Sequence, residues 1–308
     1  MDNVIKAPTR NRGIQMMVLS ATLVSTSGLI FRSFDNIDVF EIVFFRSLAL
    51  VSVMSCVIVW FYRYKSLEVV KAIGLWGVLG AAFFAGAQTS YVFAFSYTSV
   101  ANITFTIAVA PFLTAILAKL LLAESIPKST LIAMLFAAAG VCILFYSNVN
   151  FESFVGTLLA LTTACCFSCF AVILRKKREI EMLPVLLVTG LLTIPVGAGF
   201  GSWEDSISLT DISLCVLWGA LLQGFGQSLL VRASKALKAS EVPLIMLLEF
   251  SLGPIWVWLF LNEMINIGTL TISPFSSFAS FNVEDTVSPF IVSSVDETVR
   301  LTNFGGST

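Results

Sequence analysis

Hydrophobic residues run along this chain in long blocks separated by short polar or charged connectors. Nine blocks reach the roughly 20 residues that a helix needs to cross a bilayer core about 30 Å thick. They cover 14–31, 39–61, 73–95, 101–121, 129–147, 154–174, 183–202, 212–232 and 242–261. Residues 72–118 carry no charge, and one helix of that length would extend about 70 Å. The segment must therefore turn back, and Tyr97, Thr98 and Ser99, with Asn102 just after, mark the turn. The pattern predicts an all-α polytopic membrane protein.

Composition agrees. Of 308 residues, 57% are hydrophobic and 12% charged, against about 25% charged in soluble domains. Histidine is absent, which excludes imidazole acid–base chemistry, Ser-His-Asp triads and zinc sites built on His. No catalytic set, metal site or cofactor site is expected. Cys56, Cys142, Cys165, Cys166, Cys169 and Cys215 all fall inside hydrophobic blocks and read as packing residues. Cys166 and Cys169 have redox-pair spacing but lack the polar surroundings that activate a thiol. The first block follows Lys6, Arg10 and Arg12 without a small-x-small cleavage site, so it reads as a retained helix.

When the connectors are assigned alternately to the two sides, 15 of the 18 basic residues collect on one side. Only Arg32, Arg46 and Arg300 lie elsewhere. The positive-inside rule puts the basic side, and with it the N-terminus, in the cytoplasm. Asp35, Asp38, Glu152, Glu204, Asp205 and Asp211 then face outward. The run Arg175–Arg178 abuts a span and reads as a topology determinant, so no nucleic-acid partner is expected.

A shift of 139 residues aligns 75–124 with 214–263 and makes 11 of 50 pairs identical, among them Gly80 with Gly219, Gln88 with Gln227 and Glu124 with Glu263. The connector at 95–101 has no Lys or Arg, whereas its equivalent at 234–240 holds Lys235 and Lys238. Equivalent connectors therefore lie on opposite sides. A five-helix unit duplicated in tandem gives this result, because an odd number of crossings inverts the second copy. Inverted repeats are common in secondary transporters, with the substrate near the midplane between them.

Several segments together resemble the drug/metabolite transporter superfamily, in particular its bacterial EamA-type permeases. In the first repeat they are EIVFFRSLAL (41–50), APFLTAILAKLLLAES (110–125) and GVCILF (140–145); in the second, LLEFSLGPIWVWLFLNE (247–263). The resemblance covers residues 14 to about 263. It implies a ten-helix fold of two inverted five-helix repeats in the cell (inner) membrane. It also implies a small-molecule permease without cofactor, often an exporter of amino acids or other metabolites. The first repeat would occupy 1–147 and the second 148–263. The family's tenth helix has no counterpart, since 264–308 is Ser-rich and polar. That tail is expected to be a truncated or frame-shifted replacement for helix ten, a nine-helix variant, or a segment that still dips into the membrane.

Three ionisable residues lie within spans, where charge is expensive and marks function. They are Glu41, Arg46 and Glu249. Glu249 is deepest and suits a group that exchanges a proton or holds a substrate amine; the plain alternative is a protonated acid bonded to a neighbouring helix. Gly253 and Trp256 follow at helical spacing and are expected to give its face room and an aromatic wall. Its repeat partner, Ala110, lies on a stripe with Asn102, Thr106 and Thr114. The stripe either faces Glu249 or bonds helices together. Pro111 and Pro254 are expected to kink their helices. Arg46 could snorkel outward, pair with Glu41 or meet another helix; a structural or gating use is the favoured reading and recognition of an anionic substrate group the lesser one. Gln88 and Gln227, with Gln223 and Tyr91 one turn away, could hold a polar substrate from two sides or bond helix to helix.

The expected function is secondary transport of a small polar metabolite by alternating access, with export and proton coupling as the sharper form. The alternatives are a degenerate membrane protein without transport and, less favoured, a membrane-embedded enzyme. Lipid and the small-molecule substrate are the expected partners. Oligomeric state stays open, a homodimer included.

Overall fold

The computed structural model describes residues 8–35, 37–123, 151–201, 203, 207–237 and 241–261. Among these residues it is all helical. The helices are α1 (Arg10–Val24), α2 (Ser27–Arg32), α3 (Val39–Tyr62), α4 (Ser66–Ala72), α5 (Gly74–Tyr97), α6 (Val100–Ile107), α7 (Ala110–Leu122), α8 (Phe151–Lys176), α9 (Pro184–Phe200), α10 (Leu209–Leu217), α11 (Gln227–Ala233) and α12 (Glu241–Leu261). A π-helical stretch, Trp218–Gly226, joins α10 to α11. Among the described residues, six helical stretches are long and apolar enough to cross a membrane, and Pro184–Gly199 is a shorter apolar helix. Eight of the nine expected spans coincide with helices, with ends displaced by at most four residues. The expected fifth span (129–147), Glu124, and the tail at 264–308 lie outside the described residues.

Local chemistry explains where the helices start and break. Asp38 caps α3 through a capping box in which the Glu41 carboxylate accepts from the Asp38 N–H at 3.2 Å. Ser99 caps α6 by accepting from the Asn102 N–H. Between α1 and α2 the hydroxyls of Ser25 and Thr26 donate back to the carbonyls of Thr22 and Leu23 and compete with the helical ladder. Between α6 and α7 the chain breaks just before Pro111, which has no N–H to give the Ile107 carbonyl. The expected kink at Pro111 is therefore present. By contrast, the backbone of α12 remains helical through position 254.

The helices pack in a crossed pattern. α5 lies against α8 and α9; the span α10–π–α11 lies against α1 and α3; α3 lies against α9. In turn, α6 and α7 pack on α8, as α12 packs on α1 and α2. Close approach is enforced where a side chain would not fit. At Gly197 a Cβ would sit 2.6 Å from the Phe44 N, and at Gly219 it would collide with the Arg46 carbonyl oxygen.

Many outward-facing positions are apolar: Trp60 (81% exposed), Leu120 (73%) and Phe260 (62%) are largely bare. So much bare hydrocarbon suits lipid, not water. Charges gather at the ends. Arg10 pairs with Glu241 at 3.2 Å and Lys235 with Glu181 at 3.0 Å, while Lys176 lies over the Trp76 ring at 4.1 Å. At the opposite end Asp211 accepts from the Asp35 N–H, and Glu41 accepts from the Trp203 N–H.

Candidate functional site

A cavity of about 50 Å³ lies where α1, α5, α6, α8, the π stretch, α11 and α12 converge. That volume holds a few waters, since one needs about 10–15 Å³. Its polar surface comes from Gln88, Tyr91, Thr163, Gln223, Gln227 and Glu249; Phe84, Phe167 and Trp218 supply aromatic faces. Gln88, Tyr91, Gln227 and Glu249 thus come together in one space, although the sequence spreads them over 160 residues. Glu249 is 6% exposed and makes no ion pair among the described residues.

Amide and hydroxyl groups link the walls. Gln223 donates through Nε2 to Gln88 Oε1 at 2.7 Å. The Gln227 Oε1 atom is buried without a partner among the described residues. Tyr91 and Ser27 share a hydroxyl–hydroxyl bond of 3.0 Å, which ties the cavity to the start of α2. Thr163 donates to the Ala87 carbonyl at 3.4 Å and to the Leu159 carbonyl.

Aromatic layers flank the cavity along α5. Toward Tyr97, Phe95 stacks on Phe31 at 4.9 Å, and Phe31, Phe34 and Phe95 all approach the Trp218 ring. Toward Gly74, Phe84 stacks on Phe170 at 4.3 Å and approaches Phe167.

At three places the contacts differ from one of the alternatives that the sequence left open. First, the stripe of Asn102, Thr106 and Thr114 does not line the cavity. Asn102 donates to Thr98 and to Thr157 of α8, while Thr106 and Thr114 donate back to the carbonyls of Asn102 and Ala110. Asn102 thus bonds across the α6–α8 seam, the packing alternative, although its Oδ1 has no partner among the described residues. Second, Trp256 is not a cavity wall. Its indole N–H donates to Ser25 Oγ at 2.8 Å and fastens α12 to the α1–α2 break. Gly253 packs beside the same break, 3.6 Å from the Ser25 carbonyl oxygen by its would-be Cβ.

Third, Arg46 neither snorkels nor pairs with Glu41, whose oxygens already cap α3 and hold Trp203. It is 1% exposed, lies over the Trp218 ring at 5.1 Å, and reaches the Gln88 carbonyl through Nη2 at 3.4 Å. It stands directly behind two residues of the cavity wall.

Sequence reasoning missed Trp218, Phe84, Thr163 and the π stretch. Gly219 was flagged by the repeat, and its neighbour Trp218 is the one aromatic beside it; no signal pointed to the π turn.

Residues 11–146 match the model of the EamA-like transporter family. No curated protein matches the sequence. One crystal structure superposes on 91% of this chain and 100% of its own, with a TM-score of 0.72 and 16% identity, a likeness of fold alone. The resemblance carried by EIVFFRSLAL and the Pro111 helix is borne out over residues 11–146, and the six apolar helices make the chain a multi-pass membrane protein whose first half is similar to the EamA-like transporter family.

Proposed function

We propose that the chain moves a small polar solute across the membrane by alternating access, using the cavity around Glu249. The observation that carries this reading is the shared lining. Gln88 and Tyr91 come from the first half of the chain, Gln223, Gln227 and Glu249 from the second. A site built at the seam of two halves changes its exposure when the halves rock against each other.

The crossed packing supports an inverted-repeat relationship between the halves. Exchanging each helix for its repeat equivalent turns the α5–α8 and α5–α9 contacts into those of α10–π–α11 with α1 and α3. It likewise turns α6/α7 on α8 into α12 on α1 and α2, and returns α3–α9 to itself. The equivalent residues Gln88 and Gln227 both face the cavity.

The aromatic layers on either side of the cavity act as its two gates, opening in turn. The uncharged amides offer donors and acceptors to a polar metabolite, an amino acid or related compound. Glu249 carries the coupling proton or receives a substrate amine. The basic ends of the helices lie in the cytoplasm, together with the N-terminus, in the cell membrane.

The test is transport by the purified full chain in proteoliposomes, with Glu249→Gln beside the wild type. Counterflow retained in the variant, with loss of proton-driven net movement, supports the reading. Identical pH response in both proteins abandons proton coupling, and no flux above empty liposomes for any small polar solute abandons transport.

A further inference from the structure

Arg46 is a fully buried cation to which the described residues offer few partners. Its guanidinium is enclosed by α3, α5 and the π stretch, and among the described residues Nε and Nη1 have no hydrogen-bond partner. Nη2 has one long contact, to the Gln88 carbonyl. Both edges of the guanidinium fork therefore include an unbonded nitrogen. No carboxylate among the described residues pairs with it. Asp211 lies two turns nearer the outer end of the span that carries Trp218, with Cys215 between, and its own Oδ2 is also unpaired.

A cation used only for packing would be ringed by carbonyls or paired, because burying an unpaired charge is costly. The Trp218 face offsets part of that cost. It supplies none of the hydrogen bonds. Position adds the second observation: the groups touching the guanidinium, Trp218 and Gln88, are themselves cavity wall. The Arg46 backbone is fixed, since its carbonyl oxygen abuts Gly219 where no Cβ fits. The side chain can thus meet the cavity by a shift of Trp218 or Gln88 alone.

We propose that Arg46 is the anion-recognising residue of the site and that the solute carries a carboxylate, which it reads through its paired N–H groups. This deepens the transport reading and rests on it. A carboxylate fits the planar fork. Glu249, in the same cavity, then faces the remainder of the solute.

The experiment uses the purified full chain in lipid nanodiscs, with thermal unfolding read against acetate and acetamide, and alanine and alaninamide. The carboxylate member of a pair is expected to raise the melting temperature, with a binding preference over the carboxamide on the order of tenfold or more. Arg46→Met loses the preference; Arg46→Lys keeps part of it. Without solute, Arg46→Met is expected to melt no lower than wild type, since it removes an unpaired buried charge. Equal or absent shifts for carboxylate and carboxamide in the wild type, or a preference that survives in Arg46→Met, overturn the proposal. Counterflow of the same pairs in proteoliposomes separates the two readings. Carboxylate stabilisation without counterflow leaves the anion site standing and sinks transport. Counterflow of acid and amide alike does the reverse.

Discussion

Gln223 Nε2 donates to Gln88 Oε1 at 2.7 Å, joining side chains 135 positions apart from opposite halves of the chain. In the proposed transport cycle the bond crosses the seam that has to open for a solute to leave. It therefore serves both stability and access. Gln223→Leu takes the donor from the half-buried Gln88 oxygen, at a cost of about 1 kcal/mol. The double change Gln88→Leu with Gln223→Leu is expected to recover much of that in thermal unfolding while transport stays lost. Recovery of both would assign the pair to packing.

Glu249→Gln keeps the shape of the cavity and removes the exchangeable charge. Wild-type flux is expected to respond to an imposed proton gradient, and the variant's flux to be flat with pH while equal exchange persists. The readout is net accumulation against counterflow in the same vesicles.

Trp256→Phe removes the indole N–H from Ser25 at the α1–α2 break. Polar bonds between membrane helices are worth about 0.6 kcal/mol on average, so a small loss of thermal stability is expected. Solute affinity should not change, because Trp256 lies off the cavity. A change in affinity with unchanged stability would restore it to the site.

At Gly219 even a methyl group collides with the Arg46 carbonyl oxygen, whereas Gly199 has nothing within 4 Å of its would-be Cβ. Gly219→Ala is expected to destabilise by about 1–3 kcal/mol, the usual cost of overpacking. Gly199→Ala should behave as wild type. Unfolding in mild detergent distinguishes the pair.

Glu41→Ala removes half of the capping box on α3 and the acceptor for Trp203. A loss of about 1 kcal/mol is expected, with much of it restored in Glu41→Gln, which can still accept. Failure of Gln to rescue would mean that the charge itself matters at that end.

Much of the fold was legible because hydrocarbon thickness leaves helix length little freedom: the blocks at 39–61 and 101–121 became α3 and the α6–α7 pair with ends nearly unchanged. The repeat picked out Gln88 and Gln227 since an amide inside an apolar helix has few reasons to be there. Which way a side chain points was less accessible. Asn102 and Thr106 shared a face, as their spacing required, but spacing cannot tell a helix seam from a cavity. Trp256 fell one or two turns from Glu249 and still faced a different neighbour, because the α1–α2 break offered it Ser25. Arg46 looked able to reach the surface, yet Gly219 draws the π stretch so close that the guanidinium is sealed inside.

The π stretch makes chain length itself a coordinate of the site. Trp218 and Gln223 lie five positions apart, and on an α-helix five positions turn the chain by about 140° beyond a full circle. A wide turn closing from i to i+5 narrows that angle, so both face the same space. Deleting one residue at Leu221 or Leu222 would tighten the turn and swing Gln227 and everything after it by about 100°. No side chain of the cavity would have been altered, yet its amides would point elsewhere: here the number of residues, as much as their kind, writes the chemistry of the wall.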